Sequence, residues 1–289
     1  MGIESRHGTW EELEKMAAVI QAGERAAGIK DFWGFVWEGA EWEGLTYTAL
    51  EWQASSGGGQ IIEPDGTISV DNPHTIRALK RAKSWIGTIS PPGVIAYRME
   101  DVFNVWQAGR AAFMRAWPYA YLGGSQPGSL IRGKYDVTYL PSGGAGYAGT
   151  LGGWQFSVSK YSAHPREAAE FVRYLTSRPA QLRFTRELGW TPARLDIYDD
   201  PEVLRVNPYY GWLKWALPQI IVARPSIVAG KNYTAVSDAY SQAVHSALTG
   251  EQSAADAMAG LENTLAGLTR DGRRPSASAT SIPMGSSVP

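Results

Sequence analysis

The alternation of apolar and polar positions predicts a chain in which helices outnumber strands. A first helix begins after Thr9, which is suited to be its N-cap because Glu12 lies three residues further on and completes a capping box. A later helix begins at Pro165 and places its apolar residues on one face. Further helices are predicted over 46–54, 73–86, 102–108, 201–206, 212–217, 233–249 and 253–268.

Short β-prone runs lie between these helices. The predicted strands are 31–37, 111–115, 135–140 and 155–159, and 60–69 has the pattern of a hairpin. Because strands and helices alternate, the class is α/β or α+β with more helix than strand. The chain starts almost directly in a helix, which we interpret as a sign that an upstream part of the fold is missing. Residues 271–289 are rich in Ser, Pro and Ala and are predicted to be a disordered tail.

Composition excludes several classes of protein. The net charge of −1 gives no basic excess of the kind that nucleic-acid-binding domains carry, so we expect no nucleic-acid partner. The absence of Cys excludes disulfide scaffolds, thiolate zinc sites and cysteine nucleophiles. The four His residues lack metal-ligand spacing, and we expect neither a metal nor a cofactor. No apolar run is long enough to span a membrane, and residues 1–8 do not have the apolar core of a signal peptide.

The run from Gly144 to Gly149 matches the dinucleotide-binding pattern G-x-G-x-x-G. That pattern binds a pyrophosphate only where it joins a strand to the N-terminus of a helix. Here a β-prone run follows instead of a helix. The sequence therefore predicts a flexible loop at this position.

Two aromatic segments, whose Trp residues are 37 positions apart, are the main candidates for binding chemistry. They are Trp117-Pro118-Tyr119 and Gly152-Gly153-Trp154. Flat rings with a polar edge suit a sugar, which has apolar faces and hydroxyl groups at its rim. The chain has 12 Trp and 14 Tyr, which is more aromatic rings with a polar group than most cores need.

Three carboxylates, Glu38, Glu41 and Glu43, lie close in sequence to Trp42. They fit the acidic start of a helix, or hydrogen-bond acceptors for sugar hydroxyls, or the carboxylate pair of a glycoside hydrolase. The sequence leaves these three alternatives open. Arg224 offers several fixed donors to sugar oxygens, although a surface Arg at a helix boundary fits its position equally well.

Six segments resemble, in the same order, motifs of the family 1 extracellular solute-binding proteins of bacterial ABC transporters. The nearest likeness is to the trehalose/maltose-binding type. The segments are Thr9-Trp10-Glu11-Glu12-Leu13, Trp42-Glu43-Gly44-Leu45, 107–113, Trp117-Pro118-Tyr119, Gly152-Gly153-Trp154 and 163–175.

The resemblance implies a helix-rich α/β fold of the type II periplasmic-binding-protein class, with two lobes and without most of the N-terminal lobe. Residues 1–147 would form the C-lobe, 148–194 would return to the N-lobe, and 195–270 would rejoin the C-lobe. The missing portion would carry the signal peptide and lipid-attachment site.

The resemblance also carries over a set of ligand-binding residues. Trp117 and Tyr119 match the aromatic platform of the family, and Gly153 and Trp154 match its crossover pair. Arg224 matches a sugar-contacting Arg. Trp42, Glu43 and Glu38 match loosely, because Trp42 replaces the usual Tyr and Glu38 a frequent Gln.

The function that the resemblance implies is binding of a disaccharide or short oligosaccharide outside the cytoplasm and delivery to the permease subunits of an ABC transporter. The protein would act as a monomer and would not be an enzyme. The alternative is a glycoside hydrolase that uses Glu38, Glu41 or Glu43.

Overall fold

The computed structural model describes residues 8–269. The α-helices are α1 (Trp10–Ala26), α2 (Glu43–Ser55), α3 (Pro73–Trp85), α4 (Met99–Gln107), α5 (Tyr119–Gly124), α6 (Pro165–Leu175), α7 (Arg178–Leu188), α8 (Pro201–Val206), α9 (Tyr210–Ile220), α10 (Ser226–Ala229), α11 (Tyr233–Thr249) and α12 (Ala254–Leu268). The strands are β1 (Trp33–Val36), β2 (Ala111–Met114), β3 (Gly149–Thr150) and β4 (Ile221–Val222). Over residues 8–269, no helix has both the length and the apolar character that a bilayer crossing requires.

The helix starts agree with the capping pattern of the sequence. Thr9 Oγ1 accepts the N–H of Glu12 at 3.2 Å, and the Glu12 carboxylate accepts the N–H of Thr9 at 2.9 Å. Asn72 caps α3 by accepting the N–H groups of His74 and Thr75. Both predicted helix starts are therefore confirmed, because a side-chain acceptor satisfies backbone donors that a first turn leaves unpaired.

The strands form two parallel pairs. β1 pairs with β2, with Trp33 opposite Ala111, and β3 pairs with β4, with Thr150 opposite Val222. Three sequence predictions were wrong. Residues 135–140 and 155–159 are irregular, and 60–69 contains a turn, closed by the Glu63 N–H on the Thr67 carbonyl at 2.8 Å, but no hairpin strands. A β-prone run becomes a strand only where a neighbouring strand accepts and donates its backbone hydrogen bonds.

Contacts divide the described chain into two compact units, and each is described by itself. Unit 1 contains 8–115, 138–151 and 220–269, and unit 2 contains Ala116–Val137 and Gly152–Gln219. The division differs from the predicted boundaries, because 116–137 and 195–219 belong to the same unit as 152–194. The reason is packing within unit 2: the Tyr121 and Tyr209 ring centres are 5.1 Å apart, and the Tyr209 hydroxyl donates to the Pro118 carbonyl at 3.0 Å.

An aromatic cluster occupies the core of unit 1. The Trp85 ring centre lies 5.3 Å from that of Trp10 and 5.5 Å from those of Phe35 and Trp52. Trp37 meets Trp52 edge to face, with ring centres 5.0 Å apart. All five side chains are buried, so a substantial part of the Trp content serves packing rather than binding.

The helix predicted after Pro165 forms as α6, but none of its residues is buried. Phe171, which its apolar pattern would place in a core, is 60% exposed, and the nearby Tyr174 is 58% exposed. The amphipathic pattern therefore identified a helix correctly without identifying what its apolar face packs against. An exposed group of large apolar side chains is unusual on an isolated globular surface.

Candidate functional site

The two predicted aromatic segments meet in unit 2. Trp117 follows β2 by three residues, directly before Pro118, the N-cap residue of α5. The indole of Trp117 lies against the backbone of Gly152: a Cβ built on Gly152 would be 2.6 Å from Cη2 of the Trp117 ring. Only glycine at position 152 leaves the ring where it is, so the first Gly of the Gly-Gly-Trp segment has a steric role.

Three aromatic residues of this unit are predicted ligand residues: Trp117, Tyr119 and the crossover residue Trp154. We call the three together the platform, and two of their rings face solvent. The side chain of Trp154 is 95% exposed and that of Tyr119 is 40% exposed, whereas Trp117 is partly buried. A Cβ placed on Gly153 would meet no atom within 4 Å, so the backbone beside Trp154 is also open. An indole left in water is costly unless its face is used, and a flat ligand with an apolar face can use it.

A second group of predicted residues meets in unit 1. Glu43 is the first residue of α2, and one of its carboxylate oxygens accepts hydrogen bonds from the Arg224 guanidinium and the Tyr233 hydroxyl. Its other oxygen accepts the Ser237 hydroxyl. Burial, together with the hydrogen bond to Glu43, raises the pKa of Tyr233 to about 12, which keeps this hydroxyl a donor at neutral pH.

This geometry assigns Glu43 to holding Arg224, whose side chain stays partly exposed. Glu43 also occupies the first turn of α2, as the helix-start interpretation predicts.

Trp42 is the N-cap residue of α2, and it is only partly buried. Its Nε1–H is buried and makes no hydrogen bond to any residue within 8–269. The Arg98 guanidinium carbon lies 5.1 Å from the centre of its ring, within the range of a cation–π contact. Gly44 has no room for a side chain here, since a Cβ would lie 2.2 Å from Trp42 Nε1 and 2.6 Å from Glu38 Oε2.

Glu38 lies at the buried end of a charge network that the sequence analysis missed. The side chain is fully buried, and both of its oxygens accept the Tyr47 hydroxyl, at 3.0 and 2.9 Å. Arg115 Nη1 lies 3.5 Å from Glu38 Oε1, and Arg115 also forms a two-bond fork with Glu51, at 2.9 and 2.6 Å. We therefore assign Glu38 to this network rather than to direct ligand contact, because it exposes no surface.

The network could have been suspected from the sequence at Glu51 and Arg115. Glu51 stands between Leu50 and Trp52 in a helix whose other positions are largely apolar, and Arg115 directly follows the apolar strand 111–114. A single acid in one apolar run and a single base after another are a candidate buried pair, since a buried charge requires a partner.

Titration of Glu38 should make the stability of the protein depend on pH. Burial raises the pKa of the Glu38 carboxyl, and the Arg115 guanidinium and Tyr47 hydroxyl only partly oppose this. A raised pKa in the folded state stabilises the fold most below the pKa of the unfolded chain, and that contribution is lost as the pH rises through the raised value. We expect the free energy of unfolding of the wild type to fall relative to that of Glu38→Gln as the pH rises above about 4, the ordinary pKa of a glutamate carboxyl. Urea unfolding at several pH values tests this, and a difference that is constant across the range would contradict it.

The three acids of the hydrolase alternative occupy different environments. Glu38 is buried, Glu41 lies on the surface with its Oε2 3.7 Å from His245 Nδ1, and Glu43 accepts three hydrogen bonds. A glycoside hydrolase needs one acid and one base that both reach the scissile bond. Residues 144–148 form a loop that leads into β3 at Gly149, and no helix follows; the N–H groups of Gly144 and Gly146 donate to Ser142 Oγ.

Comparison with known proteins identifies the family. The model of the bacterial extracellular solute-binding proteins matches residues 1–182. A Deinococcus radiodurans protein named "Probable ABC transporter-binding protein" is 47% identical over 259 residues, which are 89% of this chain and 61% of that protein. The chain thus spans less than two thirds of the length of this relative.

Solved structures agree with the family match. The maltose-bound MalE3 of T. maritima is 34% identical with a TM-score of 0.85, over 92% of this chain and 67% of that one. The GacH receptor of Streptomyces glaucescens is 24% identical with a TM-score of 0.79, over 93% of this chain and 66% of that one, and shows the fold alone. The predicted fold class, the type II periplasmic-binding-protein fold, is confirmed. The chain belongs to the bacterial extracellular solute-binding protein family.

Proposed function

We propose that this chain binds a carbohydrate, as the solute-binding component of an ABC transporter, and that the platform Trp117, Tyr119 and Trp154 supplies the stacking surface. The observation that carries the proposal is the 95% exposure of Trp154 beside a Trp117 ring that packs on Gly152. The 34% identical MalE3 structure contains maltose, which supports a sugar as the ligand class. The family supports a role outside the cytoplasm, with permease subunits of the transporter as the protein partner.

Stacking and hydrogen bonding would contribute differently. An indole buries the apolar face of a pyranose ring and provides area, whereas specificity requires donors and acceptors for the hydroxyl groups. Gly153 offers open backbone beside Trp154, and its peptide groups would serve such hydroxyls. Arg224, Glu43, Trp42 and Glu38 belong to unit 1, and the first three stay predicted ligand residues.

The proposed role is binding without bond cleavage. Each of the three acids of the hydrolase alternative has a partner among the described residues, which supports binding over hydrolysis by a pair of accessible carboxylates. We also retain, as predictions, a monomeric state and the assignment of 148–194 to the N-lobe.

Truncating the platform should weaken sugar binding without unfolding the protein. We expect Trp117→Ala to raise the Kd for the sugar at least about tenfold, because the stacking area of one indole is lost. A thermal-shift screen of maltose, trehalose and related disaccharides selects the ligand, and calorimetry then gives the Kd of the wild type and variant.

The matched control is Trp215→Ala. Trp215 lies on α9 of the same unit and is 69% exposed, but it lies outside the platform, and we expect no change in Kd. Equal affinity of the wild type and Trp117→Ala would contradict the platform. Chromatography of the sugar after the titration should recover it intact, and a hydrolysis product would contradict the non-enzymatic role.

A further inference from the structure

Glu51 connects three parts of unit 1: its own helix α2, the residue after β2, and the backbone of β3. Its side chain is buried on α2, and its two oxygens accept the Nε–H and Nη2–H of Arg115. One of these oxygens, Oε1, also accepts the backbone N–H of Thr150 at 3.1 Å. The Thr150 hydroxyl in turn donates to the Tyr47 carbonyl at 2.9 Å, one helical turn before Glu51. A single carboxylate therefore binds a side chain after β2 and the backbone of β3.

Both anchored residues directly precede the segments that carry the platform. Arg115 is the last residue of unit 1 before 116–137, and Trp117 follows two positions later. Thr150 is the last residue of β3, and Leu151 ends the second segment of unit 1 before Gly152 and Trp154. The positions at which the two aromatic segments begin are therefore set by residues that Glu51 holds.

The anchoring extends to the third segment of unit 1, which begins at Ile220. β3 pairs with β4 in parallel, and the Leu151 N–H donates to the Val222 carbonyl at 2.9 Å. On the other side, the Arg115 N–H donates to the Val36 carbonyl at 3.0 Å, which continues the β1–β2 pairing by one residue. With only two residues in β3 and two in β4, backbone pairing alone gives this part of unit 1 little support.

The energetics of buried ion pairs point away from stability as the reason for this arrangement. Taking Glu51 and Arg115 out of water is costly, and a pair of apolar side chains of similar volume is often as stable or more so. What apolar side chains cannot do is bind Arg115 and the Thr150 N–H in one fixed geometry.

From these contacts, we propose that Glu51 is a positioning residue for the platform: its carboxylate holds the residue after β2 and the end of β3 together, and this sets where the segments of Trp117 and Trp154 begin. The expected change in sugar affinity rests on the proposed function, whereas the expected change in hydrogen exchange does not.

The test is Glu51→Gln in the 289-residue chain, followed by hydrogen-exchange mass spectrometry without sugar. Glutamine keeps the size of the side chain but loses its charge, and its NH2 group replaces one acceptor of the fork with a donor that faces an N–H of Arg115. Arg115 and the Thr150 N–H then share one neutral oxygen, which holds both less strongly. We expect the amides of 111–118 and of 149–154 to exchange at least about threefold faster, both in the same variant, while α12 is unchanged. We also expect the Kd for the sugar selected by the screen to rise about tenfold.

Two further variants separate positioning from loss of stability. Leu79→Ala removes a buried side chain of α3, outside the network, and should lower global stability while leaving exchange at 111–118 and 149–154 unchanged. Arg115→Lys keeps the charge but not the fork, and should loosen 111–118 while sparing 149–154, because the Thr150 contact with Glu51 is retained.

Faster exchange at both segments in Glu51→Gln alone would support the proposal. Exchange equal to that of Leu79→Ala, or faster exchange at one segment only, would overturn it. If the wild type binds no sugar in the screen, the proposed function fails, and the exchange measurements still decide the role of Glu51. If Glu51→Gln does not fold, Arg115→Lys decides: faster exchange at 111–118 with 149–154 unchanged would support the proposal, and faster exchange at both segments or at neither would overturn it.

Discussion

Replacing Arg115 with Met is expected to lower the free energy of unfolding by about 3–5 kcal/mol. The Arg115 side chain is buried and balances two buried carboxylates, those of Glu51 and Glu38. Methionine fills much of the same volume but leaves both carboxylates without their cation. Because the desolvation of an unpaired buried charge is not repaid, the cost should exceed that of a typical substitution. Urea unfolding at pH 7, followed by Trp fluorescence, measures it.

The control for this prediction is an arginine whose ion pair lies in water. Arg183 pairs with Glu187 one helical turn later on α7, and both side chains are exposed. Arg183→Met is expected to leave the free energy of unfolding nearly unchanged, because water screens an exposed ion pair. The double variant Arg115→Met with Glu51→Met should regain part of the stability lost in the single variant, since the buried charge of Glu51 is then removed together with that of Arg115. A loss below about 1 kcal/mol in Arg115→Met would contradict the buried network.

Replacing Trp85 with Ala is expected to cost a similar amount, about 3–5 kcal/mol, through a different mechanism. Trp85 is the side chain at which the aromatic cluster of unit 1 converges, with three ring centres within 5.5 Å of its own. Its Nε1–H also donates to Glu14 at 2.6 Å. Alanine removes an indole from a close-packed core and leaves a cavity that rigid neighbouring rings cannot fill. Urea unfolding monitored by far-UV circular dichroism measures the loss without relying on the removed fluorophore.

Trp85→Phe and Trp215→Ala separate cavity formation from the loss of any Trp. Phenylalanine restores most of the ring and should cost clearly less than alanine at position 85. Trp215 is 69% exposed, and its replacement by Ala should stay within about 0.5 kcal/mol of the wild type. Equal losses in Trp85→Ala and Trp85→Phe would show that the Glu14 hydrogen bond, rather than packing, carries the effect.

The helices were predictable because their signals are local. A capping side chain, a Pro in the first turn and apolar spacing lie within a few residues of one another, and tertiary contacts did not override them at α1, α3 or α6. The strands at 33–36 and 111–114 were also found, since both are short apolar runs. The runs at 135–140 and 155–159 were not strands, because β propensity describes a residue whereas a strand needs a neighbour.

The candidate site was predictable only in its residue types. Trp117, Gly153, Trp154 and Arg224 were selected by pattern and resemblance, but the pattern did not show that Trp117 packs on Gly152 or that Glu43 holds Arg224. Glu38 was selected for the wrong reason: its sequence neighbours suggest a binding cleft, whereas its tertiary neighbours are Tyr47 and Arg115. Glu51 was missed: its place between Leu50 and Trp52 hints at a buried acid, but the pattern does not show which groups its carboxylate binds.

The sequence by itself determined where the helices of this protein begin, which family it resembles and which rings could stack on a ligand. These properties depend on residues that are close together along the chain or on the order of short motifs. Only the tertiary structure decided the membership of the two units, the exposure of Trp154 and of α6, and the convergence of Arg115 and Thr150 on Glu51. The physical reason is that burial and charge pairing arise between residues tens of positions apart, and no local pattern records which of them meet.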